Sequence, residues 1–216
     1  MKYKKPHPVI CPTITAFDSI EYRQQIEQVV DIAERIHIDL MDGEFAPTKS
    51  PDLNNVWWPH NITADIHLMY QQPMEVIDQL IRLKPNMVII HNEASVHHMY
   101  FCAQLHAHGI KTGLALLSET PVDWAYQIMH SFDHVLVFSG HLGYHGGQAN
   151  LDILDKVKKI RQHHPDAEIG WDGGINDHNI KQLLEGGVDV FNVGGFIQKA
   201  AHPNQAYAKL KEIITD

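Results

Sequence analysis

The chain is poor in cysteine and has no long apolar run, and both features narrow the class of protein. Its 216 residues include two cysteines, Cys11 and Cys102, whose spacing fits neither a metal site nor a redox pair. So few cysteines favour a reducing, cytoplasmic location. No stretch approaches the roughly 18 apolar residues of a membrane span, and no apolar segment typical of a signal peptide follows the start M-K-Y-K-K-P-H-P. We therefore expect a cytoplasmic protein without a membrane partner.

Basic residues are also scarce relative to acidic ones. There are 17 lysines and arginines against 26 aspartates and glutamates, for a formal charge of −9. This balance argues against a nucleic-acid partner, but a small phosphorylated ligand remains compatible because backbone N–H groups bind phosphate locally. The sequence shows no linker, low-complexity stretch or repeat. We expect one domain over residues 1–216.

Apolar runs of strand length alternate with helix-like segments along the chain. Strands are predicted at 9–13, 36–41, 64–69, 87–91, 111–117, 134–138, 168–171 and 188–193. Between them, apolar residues at helical spacing predict buried helix faces, as at Ile26, Val29, Val30 and Ala33, and at Val96, Met99, Tyr100 and Ala103. Eight such units in this length predict an α/β fold of the (β/α)8 TIM-barrel type. An open doubly wound sheet is the alternative.

Four polar residues lie within or directly follow three of these strands. His37 and Asp39 lie in I-H-I-D-L-M-D-G, His67 in D-I-H-L-M and Asp172 in W-D-G-G. His37 and Asp39 are two residues apart and so point to the same side of a strand. Two imidazoles and two carboxylates suit a divalent metal such as zinc, and paired carboxylates can accept and donate protons. The set predicts a metal-assisted acid–base enzyme.

This chemistry favours the barrel, since only a closed barrel brings these strand ends to one point on its C-terminal face. Two nearby aspartates have simpler interpretations. Asp42 is predicted as the turn residue of the D-G dipeptide, and Asp65 as a structural residue or a partner that orients His67.

Three glycine pairs predict a phosphate site, because glycine lets backbone N–H groups approach an anion. Loops after strands seven and eight commonly bind phosphate in this fold. The pairs are Gly146 and Gly147, Gly173 and Gly174, and Gly194 and Gly195.

At these motifs the chain resembles the ribulose-phosphate 3-epimerase family. The matching stretches are P-T-I-T (12–15), H-I-D-L-M-D-G-E-F-A-P (37–47), D-I-H-L-M (65–69), G-G-Q (146–148), W-D-G-G-I (171–175) and V-G-G (193–195). Their order and spacing agree along nearly the whole chain. The allulose-6-phosphate 3-epimerases are similar at the same positions.

The resemblance implies a TIM barrel of the ribulose-phosphate-binding type that holds one divalent metal. Zinc is expected first, with Fe2+, Mn2+ and Co2+ as alternatives. The implied metal ligands are His37, Asp39, His67 and Asp172, and the implied acid–base pair is Asp39 and Asp172. Substrate contacts are implied at Thr13, Met41, Met69 and His67, and phosphate contacts at the three glycine pairs.

The chain departs from the family pattern around the cavity that the resemblance implies. The loop 140–148 lacks the proline of the usual N-P-G-F-G-G-Q and is one residue longer, and its His141 and His145 are candidate extra donors. Phe138 stands where a third methionine is usual, and Gly195 where serine is frequent. Residues 48–50, Thr-Lys-Ser, replace a run that usually contains asparagine.

The implied activity is that of an isomerase of carbohydrate metabolism, in the pentose phosphate pathway. It would epimerise C3 of a ketose phosphate, D-ribulose 5-phosphate to D-xylulose 5-phosphate, through an enediolate. D-allulose 6-phosphate is an alternative substrate, and a non-catalytic sugar-phosphate-binding paralogue is an alternative role. Related decarboxylases and formaldehyde-condensing enzymes carry D-x-K-x-x-D, whereas D-L-M-D-G has no lysine. A homo-oligomer is left open, with Trp57 and Trp58 expected in the core or an interface.

Overall fold

The computed structural model describes residues 7–144 and 146–215. Within them, eight parallel strands close into a barrel in chain order, with β8 paired to β1. The strands are β1 (Val9–Thr15), β2 (Arg35–Met41), β3 (Thr63–Met69), β4 (Met87–His91), β5 (Lys111–Leu116), β6 (His134–Phe138), β7 (Glu168–Asp172) and β8 (Val190–Val193). The predicted barrel is confirmed, and the open sheet is wrong.

Helices and short 3-10 segments connect the strands and cover the outside of the barrel. The α-helices are α1 (Ser19–Val29), α2 (Ile77–Leu83), α3 (His98–Ala107), α4 (Asp155–His163), α5 (Ile180–Glu185), α6 (Gly195–Gln198) and α7 (Pro203–Thr215). The 3-10 segments are Leu53–Asn55, Pro73–Val76, Val122–Ala125, Met129–Ser131 and Leu151–Ile153. The Asp18 carboxylate starts α1 by accepting hydrogen bonds from the backbone N–H groups of Ile20 and Glu21.

The strands are apolar because helices cover their outer side while other side chains fill their inner side. Along β2, Ile36, Ile38 and Leu40 are fully buried in the main core cluster, which extends to the surrounding helices. The alternate residues His37 and Asp39 point into the barrel, as their two-residue spacing predicts.

The barrel interior has polar groups at its bottom and at its top, and apolar side chains on one side. At the bottom, Arg35 donates hydrogen bonds to Asp65 at 2.6 Å and to Glu168 at 2.8 Å. On the β4–β6 side, Met87, Ile89, Ala115 and Leu136 form an apolar plug of buried side chains.

One of the two predicted helix faces is correct and the other is wrong. Around α1, Ile26, Val29 and Ala33 are buried. In α3, however, Met99 and Tyr100 are 52% and 53% exposed, and the buried side chains are Phe101, Cys102 and Leu105. The reason is that α3 is apolar on several sides, so spacing alone could not identify the side that packs on the barrel.

The adjacent tryptophans differ in environment. Trp58 packs against the main core, whereas Trp57 is 41% exposed and lies edge-on to Tyr22. Across residues 7–144 and 146–215, no helix has the length and apolar character needed to cross a membrane. The assignment of residues 1–216 to one domain stays a prediction.

The bottom ion pairs give a test of barrel stability. In Arg35→Met, the carboxylates of Asp65 and Glu168 would lose their counter-charge inside the barrel. The free energy of unfolding should fall by about 3 kcal/mol or more, measured by urea denaturation. Lys158→Met is the control, because its ion pair with Asp155 is exposed and should matter little. Equal stabilities of the two variants would contradict this account of the interior.

Candidate active site

The four predicted metal ligands meet at the C-terminal mouth of the barrel. His37 and Asp39 reach it from β2, His67 from β3 and Asp172 from β7, and all four are buried. One ligand atom from each residue lies within 4.8 Å of the others. Barrel closure brings β7 close to β2, with only β8 and β1 between them.

The histidine–carboxylate distances in this cluster are close to those between the ligands of a metal ion. His67 Nδ1 lies 3.0 Å from Asp39 Oδ1 and 3.6 Å from Asp172 Oδ2. His37 Nε2 lies 3.4 Å and 3.6 Å from the same two oxygens. Tetrahedral zinc, with bonds of about 2.0–2.2 Å, places its ligand atoms about 3.3–3.6 Å apart. Among the described residues, the buried His37 Nε2 has no hydrogen-bond partner, which also suits a metal ligand.

Electrostatics inside the cluster favour a cation. Burial alone would raise the pKa of Asp39, but contacts with His37 and His67 outweigh burial and hold it well below its usual range. Burial alone would lower the pKa of His37, but contacts with Asp172 and Asp39 raise it to about 10. The carboxylates thus attract positive charge to His37, and a divalent metal would displace that proton. The four residues could hold a divalent metal ion.

A threonine on the neighbouring strand fixes the orientation of Asp39. Thr15 Oγ1 donates a hydrogen bond to Asp39 Oδ2 at 2.7 Å, which leaves Oδ1 for the imidazoles. The Gln25 side chain in turn holds the backbone of Thr15, accepting from its N–H and donating to its carbonyl. Thr15 was not predicted, although it lies two residues after Thr13 and so on the same side of β1.

A second histidine lies directly behind His67. His91, at the end of β4, places its Nε2 2.8 Å from His67 Nε2. His91 Nδ1 lies 3.5 Å from Glu93 Oε2. The other oxygen of Glu93 accepts hydrogen bonds from the Thr120 hydroxyl and the Leu117 backbone N–H. The chain of contacts therefore runs from His67 through His91 to an anchored carboxylate.

This arrangement determines which ring nitrogen of His67 and of His91 carries the proton. Burial lowers the pKa of His91 to about 4, although Glu93 acts in the opposite direction, so the ring is neutral near pH 7. If His67 Nδ1 is a ligand, its Nε2 carries the proton and donates to His91 Nε2. The proton of His91 then lies on Nδ1, facing Glu93. Such contacts behind a ligand hold its ring in place and raise its basicity.

His91 shares a sequence signal with His37 and His67. Each is a polar residue in a largely apolar strand, and His91 is the last residue of β4. Asp65 does not orient His67; its carboxylate bonds Arg35 and Asn86 at the bottom of the barrel. Asp42 is a turn residue, accepting from the backbone N–H groups of Glu44 and Phe45.

A cavity of about 360 Å³ opens above the cluster. Asp39 and Asp172 line it, together with Thr13 and Met69, two of the predicted substrate contacts. Met41 packs instead in a small apolar cluster with Ala46 and Met69. All six predicted phosphate-binding glycines also line the cavity: Gly146, Gly147, Gly173, Gly174, Gly194 and Gly195.

The glycines after β7 are required by the close approach of two loops. Gly173 and Gly174 have φ values of +113° and +70°. A Cβ on Gly173 would lie 2.2 Å from the Gly140 backbone nitrogen, and one on Gly174 would lie 2.0 Å from that of Ala149. This loop and the loop after β6 therefore form one continuous wall of the cavity.

The loop after β6 is tied to the loop after β2. Thr48 Oγ1 donates a hydrogen bond to the Gly143 carbonyl at 2.6 Å. Phe138, at the end of β6, lines the cavity, and its ring centroid lies 5.8 Å from that of His67. His141 lies beside Gly147. His145, the other predicted loop donor, lies outside the described residues.

Comparison with known proteins gives the family. A sequence profile described as the Ribulose-phosphate 3 epimerase family matches residues 9–198. The chain belongs to this family. It is 31% identical to a ribulose-phosphate 3-epimerase of Mycobacterium leprae, covering 94% of each chain. It is 30% identical to the Helicobacter pylori protein of that name, covering 94% of this chain and 97% of that one.

Solved structures agree on the fold. A 3-hexulose-6-phosphate synthase from Salmonella typhimurium superposes with a TM-score of 0.71 at 16% identity, covering 96% of this chain and 98% of that one. At such low identity the similarity shows the barrel alone. Membership of the family, in contrast, identifies the chain as an epimerase, an enzyme of the isomerase class.

The contact behind His67 predicts a change in metal affinity. His91→Leu should weaken divalent-metal binding by about 10- to 100-fold, because His67 loses the acceptor that fixes its ring and proton. The measurement is chelator competition on protein whose circular dichroism shows a native fold. His108→Leu is the control, since His108 is exposed and its ring bonds the Gln104 carbonyl of its own helix. Equal affinities in both variants would rule out this role for His91.

Proposed function

We propose that the chain catalyses metal-dependent epimerisation at C3 of a ketose phosphate, with D-ribulose 5-phosphate and D-xylulose 5-phosphate as the two epimers. The observation that carries this proposal is how the four residues of the cluster lie relative to the cavity. Both carboxylates line the cavity, whereas His37 and His67 lie behind them, fully buried. A substrate in the cavity therefore meets two carboxylates that can transfer protons. The two imidazoles lie behind these carboxylates.

The carboxylates carry the proton chemistry. In each direction, one of Asp39 and Asp172 accepts the C3 proton and the other returns a proton to the opposite face. Asp39 is available to accept a proton because contacts with His37 and His67 hold its pKa below the usual range and keep it ionised, and Thr15 fixes its orientation. Asp172 enters from a different strand, which gives the second carboxylate a separate approach to the substrate.

A bound divalent metal would supply Lewis-acid stabilisation of the negative charge that develops on the substrate oxygens in the enediolate. Its ligands would be His37, Asp39, His67 and Asp172. Zinc suits this mixed set of nitrogen and oxygen ligands best, with Fe2+, Mn2+ and Co2+ as alternatives.

The phosphate end of the substrate would lie against the glycine loops. Their backbone N–H groups can approach an anion without side chains in the way. Lys199, which was not predicted, also lines the cavity, and its Nζ lies close to Gly146. A positive charge here offsets the acidic balance of the chain and would help to hold a phosphate group. Phosphate binding would position C3 for the carboxylates.

The direct test is proton NMR of D-ribulose 5-phosphate with the metal-loaded protein in D₂O. Xylulose 5-phosphate should accumulate with solvent deuterium at C3, because the returned proton comes from the second carboxylate. If D-allulose 6-phosphate alone exchanges, the chemistry stands and the substrate is the hexulose phosphate. Absence of exchange with both substrates, in folded protein shown to hold metal, would reject the proposal.

A substitution tests the two-carboxylate mechanism. Asp172→Asn should lower the rate of epimerisation by about 10²- to 10⁴-fold or more, because one face of C3 loses its proton-transfer group. Thermal unfolding should stay cooperative. Asp31→Asn, at an exposed aspartate, is the matched control and should retain full activity. Near-normal turnover of Asp172→Asn would assign the proton transfer to another group.

A further inference from the structure

Asn192 places a buried amide in the cavity wall. It lies on β8, in register with Asp172 on β7 and with Cys11 on β1. Its side chain is only 2% exposed and lines the cavity. It interrupts an apolar strand, V-F-N-V, whose other three residues are buried hydrophobics.

Both polar atoms of this amide are unpaired. Over residues 7–144 and 146–215, neither Oδ1 nor Nδ2 of Asn192 has a hydrogen-bond partner. Either orientation of the amide leaves the same two atoms unpaired. Burying an amide without partners costs free energy, and an apolar side chain would avoid that cost. The position is therefore explained best by a partner that enters the cavity.

A second unpaired group lies on the adjacent strand. Thr13 Oγ1 on β1 is buried, lines the same cavity and has no partner within the described part of the chain. The backbone carbonyl of Thr13 accepts a hydrogen bond from Gln198 Nε2 at 3.1 Å, which anchors β1 to α6. Asn192 and Thr13 thus present a donor–acceptor amide and a hydroxyl on two paired strands.

The position of Asn192 indicates which part of a ligand it would meet. It is level with Asp172, one of the two proton-transfer groups, and two residues before Gly194, one of the phosphate-loop glycines. A group bound here lies between the reacting carbon and the phosphate. In a 2-ketose phosphate that reacts at C3, the next carbon towards the phosphate is C4, and its hydroxyl can both donate and accept a hydrogen bond.

We propose that Asn192 is a specificity-determining residue that binds the C4 hydroxyl of the ketose phosphate, with Thr13 completing the contact. This inference rests on the proposed function and adds to it the feature of the substrate that the site selects. Ketose phosphates that lack this hydroxyl would leave the amide unpaired and would be rejected.

The test compares two variants on two substrates. Asn192→Leu has a similar size and no polar atom, and Asn204→Leu, at an exposed position of α7, is the control. The substrates are D-ribulose 5-phosphate and its 4-deoxy analogue, followed by deuterium incorporation at C3. Removing the hydroxyl should lower kcat/KM of the wild type by about 10- to 100-fold. Asn192→Leu should lose a similar factor on the natural substrate and very little more on the analogue.

Stability separates binding from a structural role. Asn192→Leu should unfold at the same temperature as the wild type or higher, because it removes an unpaired buried amide. A lower unfolding temperature, or an equal loss of activity on both substrates, would overturn the inference. A fully active Asn192→Leu would overturn it too, while leaving the proposed function intact. An inactive wild type would instead overturn the proposed function, and this inference with it.

Discussion

The charge of two carboxylates inside a closed barrel is the constraint on which the upper interior depends. Asp39 and Asp172 are each 8% exposed and face the same pair of imidazoles. Carboxylates so placed need positive charge or hydrogen bonds, since ions buried without partners are costly. The raised pKa of His37 and the threonine bound to Asp39 follow from that need. A divalent cation bound by the carboxylate oxygens and the imidazole nitrogens would supply the same positive charge.

The barrel contains carboxylates at both its bottom and its top, and their positively charged partners differ. At its bottom, the permanently charged Arg35 bonds both Asp65 and Glu168, with hydrogen bonds of 2.6–2.8 Å. At its top, the cluster has imidazoles in place of an arginine, and imidazoles can give up their protons to a metal. Thus the bottom ion pairs do not depend on a ligand, whereas the top cluster remains available for ligands.

The sequence predicted the barrel and the four-residue cluster because both depend on local patterns. His37 and His67 interrupt apolar runs, Asp172 ends one, and the two-residue spacing of β2 places Asp39 beside His37. Contacts between distant segments were not visible in this way. Spacing could not choose the packed side of α3, because Met99 and Tyr100 follow the same helical pattern as a buried face. Nor could it reveal that Asp65 bonds Arg35, or that Asn192 enters the cavity unpaired.

Asp39 and Asp172 line the cavity at the C-terminal mouth, so water reaches the two carboxylates from that side. In the proposed reaction each turnover ends with the proton on the opposite carboxylate from the one that held it at the start. The free enzyme thus exists in two forms, one ready for each epimer. In this mechanism the enzyme must return to its starting form before it can convert the same epimer again, so this reset is a separate step of the catalytic cycle.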